Sequence, residues 1–205
     1  MLIIRRHRLL PDRPATTAGV RLRLHRGLHI DAAVRPNVRI AMLPKRRISH
    51  AQGYLQLGML AQAAAELDCI TGVEAQSRDV LAVRLAVLHE QQDWPAVRDL
   101  ARDLVHRDSA EAGLWITWAY ATRRADSLEA AEKILRDAES LHPAEPTIQF
   151  NLGCYACQRG DLPSARERVA RAIAIDSKFE ALAATDPDLE ALRVWQRQTD
   201  CQPGA

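Results

Sequence analysis

Cys154 and Cys157 are the two side chains in this sequence whose types and spacing most readily suggest chemistry. Residues three apart share one face of a helix, so two thiolates in these positions could bind a metal ion or form a redox pair. A structural zinc site needs two further ligands, and the sequence offers no second pair. Free cysteine is also among the most frequently buried residue types. Packing is therefore the favoured interpretation, and a metal or redox role is the alternative.

The remaining polar pairs do not form recognisable catalytic sites. His89 and Glu90 lack the second histidine that would complete a zinc pair. Asp186 and Asp188 flank a proline at a predicted helix start, where capping of free backbone N–H groups explains them better than catalysis. Phosphate-binding loops, zinc-protease motifs and nucleophile elbows do not occur. The sequence therefore predicts no catalytic residues, no metal and no cofactor.

The elements that would position these residues repeat with a period of 34 residues. Four series of positions, each advancing by 34 residues, are apolar in every unit, at spacings of three, four and three within a unit. Such spacings place side chains on one face of a helix. A second apolar run precedes each break, so each unit is predicted to be helix, turn, helix. The series are Leu60, Trp94, Leu128 and Leu162; Ala63, Val97, Ala131 and Ala165; Leu67, Ala101, Leu135 and Val169; and Ile70, Leu104, Ala138 and Ala172.

A helix–turn–helix unit of this length, with small residues where its helices cross, resembles the tetratricopeptide repeat. The resemblance covers about residues 44–179. It implies an all-α, right-handed α-solenoid of about four such repeats with a C-terminal capping helix. In the first two units, His50 and Arg84 stand where the family usually has an apolar residue. The fourth unit resembles the family most closely, through Leu152, Gly153, Gly160, Asp161, Ala165 and Ala172.

The repeat period also predicts the domain organisation. A terminal repeat needs a cap, and the sequence after the fourth unit supplies a helix that starts near Asp186 and buries Leu189, Leu192 and Trp195. The residues after that helix are expected to be disordered. We predict repeats at 44–77, 78–111, 112–145 and 146–179, a capping helix at 180–198 and a disordered tail at 199–205.

Charge divides the chain into a basic start and an acidic body. Residues 1–47 hold twelve Arg or Lys and two Asp, a formal charge of +10, whereas residues 48–205 carry −8. Residues 1–43 have no sustained period and are predicted to be disordered. Three interpretations stay open: a true start at Met42, a transit peptide, or a tail that binds nucleic acid or an acidic surface. Nucleic acid is the weakest partner, because residues 1–45 contain no aromatic side chain.

Composition favours a cytoplasmic protein without membrane association. Apolar residues make up 47% and charged residues 26%, and no stretch approaches the roughly 20 apolar residues of a membrane span. Four cysteines in 205 residues do not form a disulfide framework. Arginine has GC-rich codons, and 25 arginines against three lysines suggest a bacterial gene.

The resemblance implies a non-catalytic scaffold or adaptor that binds a peptide or helix of another protein. In the family, the first helix of each repeat lines a concave groove that holds the partner. Aromatic and arginine side chains dominate binding hot spots. The acidic body suggests that the partner presents a basic surface. Transferred by position, the groove residues are Asp79, His89, Ile116, Tyr120, Arg123, Phe150 and Cys154.

Overall fold

The structure, a computed structural model, describes residues 43–200, and all regular secondary structure in this range is helical. Ten α-helices are joined by short turns and by two 3₁₀ segments, Gly72–Gln76 and Pro187–Leu189, and these residues include no strand. Predictions for residues 1–42 and 201–205 lie outside this range. The helices are α1 (Pro44–Gln56), α2 (Leu60–Asp68), α3 (Arg78–Glu90), α4 (Trp94–Arg107), α5 (Ala112–Ala125), α6 (Leu128–Leu141), α7 (Pro146–Gln158), α8 (Leu162–Ile175), α9 (Lys178–Thr185) and α10 (Glu190–Asp200).

Tight turns join the two helices of each hairpin, and three of them use the same backbone conformation. Gly58 and Gln92 lie 34 residues apart, Gly160 lies a further 68 residues along the chain, and the three have φ angles of 72°, 58° and 82°. Glycine adopts this left-handed conformation without steric cost, whereas an L side chain such as that of Gln92 does not. The second unit therefore has the same turn geometry as the first and fourth, although Gln92 favours a negative φ.

Three of the helices that follow the hairpin turns, α4, α6 and α8, are capped by side chains, whereas α2 starts after Met59 without such a cap. The carboxylates of Asp93 and Asp161 accept hydrogen bonds from backbone N–H groups three residues further on, at 3.2 Å in each case. The hydroxyl of Ser127 accepts the equivalent bond at 3.1 Å. These caps satisfy donors that the first turn of a helix otherwise leaves free, and they fix where α4, α6 and α8 begin.

The residue at the crossing point of each hairpin governs how closely its two helices approach. This residue is Ala51 in the first unit, Leu85 in the second, Ala119 in the third and Gly153 in the fourth. The backbones of α7 and α8 stay close over the longest stretch, and those of α3 and α4 over the shortest. The side chain of Leu85, only 1% exposed, holds α3 away from α4, which packs mainly against α5.

Two groups of buried apolar side chains meet at α3. Val80 and Val83 belong to a small cluster with α1 and α2. Leu81 and Leu85, on another face of the same helix, belong to the larger core that continues through α4 to Leu192 in α10. Because α3 contributes to both clusters, it joins the first hairpin to the rest of the solenoid.

The chain after α8 folds back over the last hairpin. Phe179 of α9, Leu189 of the second 3₁₀ segment and Leu192 of α10 are all buried. The Asp186 carboxylate accepts from the backbone N–H of Asp188 at 2.9 Å and so forms the turn that leads into α10. None of the helices between residues 43 and 200 combines the length and apolar character that crossing a membrane requires.

Candidate protein-binding surface

Three aromatic side chains meet where the ends of α3 and α5 face the start of α4. The ring centroid of His89 lies 5.3 Å from that of Trp94 and 5.9 Å from that of Tyr120, and the Trp94 and Tyr120 centroids are 5.4 Å apart. The Arg124 guanidinium lies 5.1 Å from the Tyr120 centroid and 5.5 Å from that of Trp94. We call these four residues the aromatic cluster. Each is at least partly accessible to solvent, so a partner can contact rings and a cation together.

Arg124 differs from most arginines of the described chain in how it is held. One of its N–H groups donates to the Tyr120 hydroxyl at 3.1 Å. Its guanidinium otherwise lies over rings, and no carboxylate between residues 43 and 199 forms an ion pair with it. Several donors of an exposed cation therefore remain available for an acceptor supplied from outside the chain.

The predicted groove residues fall into an accessible set and a covered set. Asp79, in the first turn of α3, is exposed, and His89 and Tyr120 are partly exposed within the aromatic cluster. Phe150 and Cys154 are fully buried in α7. Ile116 is 2% exposed. The structure thus brings His89 and Tyr120 together, places Asp79 at the other end of α3, and covers the predicted groove face of α7 with the chain's own later residues.

Arg123, the remaining predicted groove residue, reaches from α5 to the segment that covers α7. Its Nη1 lies 3.1 Å from a carboxylate oxygen of Asp188, and its Nη2 donates to the Gln158 side chain at 2.8 Å. The same guanidinium lies 5.3 Å from the ring centroid of Tyr155. With side-chain exposures of 21% for Arg123 and 17% for Asp188, the ion pair is largely shielded from water. Arg123 therefore ties α5 and α7 to the C-terminal residues.

Sequence reasoning missed two members of the aromatic cluster. Trp94 occupies the first apolar position of the 34-residue series, where the other units have Leu60, Leu128 and Leu162, and this position suggested packing alone. Arg124 directly follows Arg123, which is one of the predicted groove residues. The signal that could have identified Trp94 is its size, because an indole at this position extends beyond the volume that leucine fills in the other units.

Cys154 and Cys157 lie in a closed environment. Both thiols are buried, and burial raises the pKa of each above its ordinary value, for Cys154 well above it. Asp186 and Asp188 raise the Cys154 pKa further through their negative charge. A thiol in such surroundings stays protonated and unreactive at neutral pH. Across residues 43–199, no group of three or more His, Cys, Asp or Glu side chains is arranged to hold a metal ion.

A polar cleft of about 220 Å³ lies between α6, α7 and α8. Within it, the carboxylate of Glu132, largely buried, accepts from Arg136 at 2.7 Å and lies 2.8 Å from Arg159. Arg168 pairs with Glu139 at 3.0 Å, and Arg171 with Glu167 at 2.5 Å. Each arginine of the cleft thus has a carboxylate partner, so the network joins three helices and offers no unpaired cation.

Comparison with known proteins shows the fold. No family model matches the chain, and no curated protein matches it significantly. It is similar to solved structures of MamA. The RS-1 ArsTM double mutant is 18% identical over 66% of this chain and 76% of that one, with a TM-score of 0.52. The AMB-1 structure is 12% identical over 78% of this chain and 98% of that one, with a TM-score of 0.53.

At these identities the similarity concerns the fold alone. Like these all-helical, tetratricopeptide-repeat-like structures, the described chain contains no strand and consists of stacked helical hairpins. The predicted fold class is confirmed: the chain is an all-α, right-handed α-solenoid of about four tetratricopeptide-repeat-like helix–turn–helix units with a C-terminal capping helix.

Proposed function

We propose that this protein is a non-catalytic scaffold that binds a segment of another protein at the aromatic cluster. The observation that carries the proposal is the mutual contact of His89, Trp94 and Tyr120 beneath the exposed guanidinium of Arg124. Aromatic and arginine side chains in partly buried clusters supply most of the binding energy of known interfaces.

The fold supports the same proposal. A solenoid exposes an extended surface along its stacked helices, which suits recognition of a long segment better than capture of a small molecule. The similarity to MamA structures is consistent with a helical scaffold. The acidic body, with a formal charge of −8 over residues 48–205, would speed the approach of a partner that carries basic residues outside the bound segment.

Affinity capture from a nuclease-treated lysate tests this function. The full chain is compared with Tyr120→Ala and Arg124→Glu variants and with Arg166→Glu, an identical charge reversal at an exposed position on α8. We expect a protein that the parent chain and the control retain, and that each cluster variant loses by about tenfold or more. Equal capture by all four folded proteins would contradict a role for the cluster. Loss of all bound material on nuclease treatment would favour nucleic-acid binding instead.

A further inference from the structure

The face of α7 that was predicted to line the groove is occupied by the chain itself. Residues 186–195, which we call the C-terminal segment, follow α9, include the first half of α10 and cross this face. Leu189 is 1% exposed and packs into the core that includes Phe150 and Cys154. The backbone of Leu192 also hydrogen-bonds to the side-chain thiol of Cys157. The C-terminal segment therefore fills the position where a bound peptide would lie.

Its contacts have the chemistry of a bound peptide as well as the position. Asp188 presents its carboxylate to Arg123, and the next residue, Leu189, buries its side chain. A charged hydrogen bond beside a buried apolar anchor is a common way for a groove to hold a short segment. The two contacts together define what this part of the surface recognises: a carboxylate followed directly by a leucine-sized apolar side chain.

Opening of the C-terminal segment would change the groove without unfolding the solenoid. A local segment opens at a lower free energy than the whole molecule unfolds, because fewer contacts are lost. Detachment would leave Arg123 without its carboxylate and would expose Cys154 and Cys157 to water. The segment is thus expected to stay bound until another segment offers the same two contacts.

We propose that the C-terminal segment is a displaceable occupant of the groove, and that the partner replaces it with an acidic residue followed by leucine or a similar apolar residue. This inference rests on the proposed function, because it extends the binding surface from the aromatic cluster to α7. The opening of the segment can nevertheless be measured without any partner.

The first experiment uses Cys154 and Cys157 as internal reporters of opening, in the full chain. A maleimide labels a buried thiol only when its cover opens, whereas Cys69 is exposed and labels at once. We expect Asp188→Asn to accelerate labelling of Cys154 and Cys157 by about tenfold or more. Arg123→Gln removes the other partner of the pair, and we expect the same acceleration.

The matched control is Asp126→Asn, which breaks the 2.6 Å ion pair between Arg98 and Asp126 away from α7. Labelling in this variant should stay within about twofold of the parent chain, since exposed pairs contribute little. If Asp188→Asn and Arg123→Gln label no faster than the parent, or if Asp126→Asn accelerates as much as they do, the segment is a fixed cap and the proposal is wrong.

The second experiment supplies the segment as a separate molecule. A synthetic peptide of residues 185–198 is added to the Asp188→Asn chain, and labelling of Cys154 and Cys157 is followed again. We expect protection at saturating peptide, and none from a peptide with Asp188→Asn and Leu189→Ala. Failure of the unmodified peptide to protect would overturn the proposal. A third outcome is that the peptide protects the two thiols while the aromatic-cluster variants still capture the partner as well as the parent chain does. That pair of results would contradict the proposed function but support the displaceable segment.

Discussion

A Cβ atom added to Gly153 would lie 2.9 Å from Cγ2 of Val169, so α7 and α8 cross where no side chain fits. The same added atom would lie 3.3 Å from the carbonyl oxygen of Ala165. Glycine at this position therefore serves helix packing, since the Val169 side chain and the backbone of α8 occupy the space that a methyl group would need.

Gly153→Ala is expected to lower the free energy of unfolding by about 1–3 kcal/mol, because α7 and α8 must separate to admit the methyl group. Equilibrium urea unfolding measures the change. Gly113→Ala in α5 is the matched control: its added Cβ meets nothing within 4 Å, and alanine favours helix, so stability should rise by about 0.5–1 kcal/mol. A Gly153→Ala protein as stable as the parent would contradict the close crossing.

The turn between α3 and α4 offers a second test. Gln92 has a φ of 58°, a conformation that Gly58 and Gly160 adopt in the equivalent turns. Gln92→Gly is expected to stabilise the protein by about 0.5–1 kcal/mol, because it removes the steric cost of a side chain in the left-handed region. Gln91→Gly, at the neighbouring position with φ of −71°, should destabilise it. Thermal unfolding of both variants checks the contrast.

Stability should fall in alkaline solution, partly through Cys154. Burial raises the pKa of this thiol, so the folded protein keeps the proton after the unfolded chain has lost it. The contribution of Cys154 to the free energy of unfolding is fully present below the ordinary thiol pKa of about 8.5. Above that pH the contribution falls by up to about 1.4 kcal/mol per pH unit. Urea unfolding at about pH 8 and pH 10 should show a smaller decline for Cys154→Ala than for the parent chain. Parallel declines would mean that Cys154 does not contribute.

The repeat architecture was predictable because each unit carries its own signal. Apolar residues at spacings of three, four and three identify the helices, and the 34-residue step identifies their register. The larger separation between α3 and α4 also has a signal in the sequence, because Leu85 stands where the other units have alanine or glycine. It was missed because one large residue in a repeat looks like an ordinary core position.

The covering of α7 could not be predicted in the same way. Phe150 and Cys154 are apolar, which suits a groove that binds a peptide and also suits a face buried by the chain itself. Whether this face binds a peptide or is buried by the chain depends on the path of α9 and the C-terminal segment. These residues lie outside the 34-residue repeats, so their position cannot be inferred from an equivalent residue in another unit. In the structure, the ion pair between Arg123 and Asp188, 65 residues apart, and the burial of Leu189 show where the C-terminal segment lies.

Site-specific photo-cross-linking tests the central claim, binding of a protein segment at the aromatic cluster, most directly. Benzoylphenylalanine replaces Tyr120 in one sample and Arg166 in another, and both are irradiated in lysate. We predict an adduct of a defined protein at the Tyr120 position that is absent at the Arg166 position. Adducts of the same proteins in equal yield at both positions, or at the Arg166 position alone, would contradict the account.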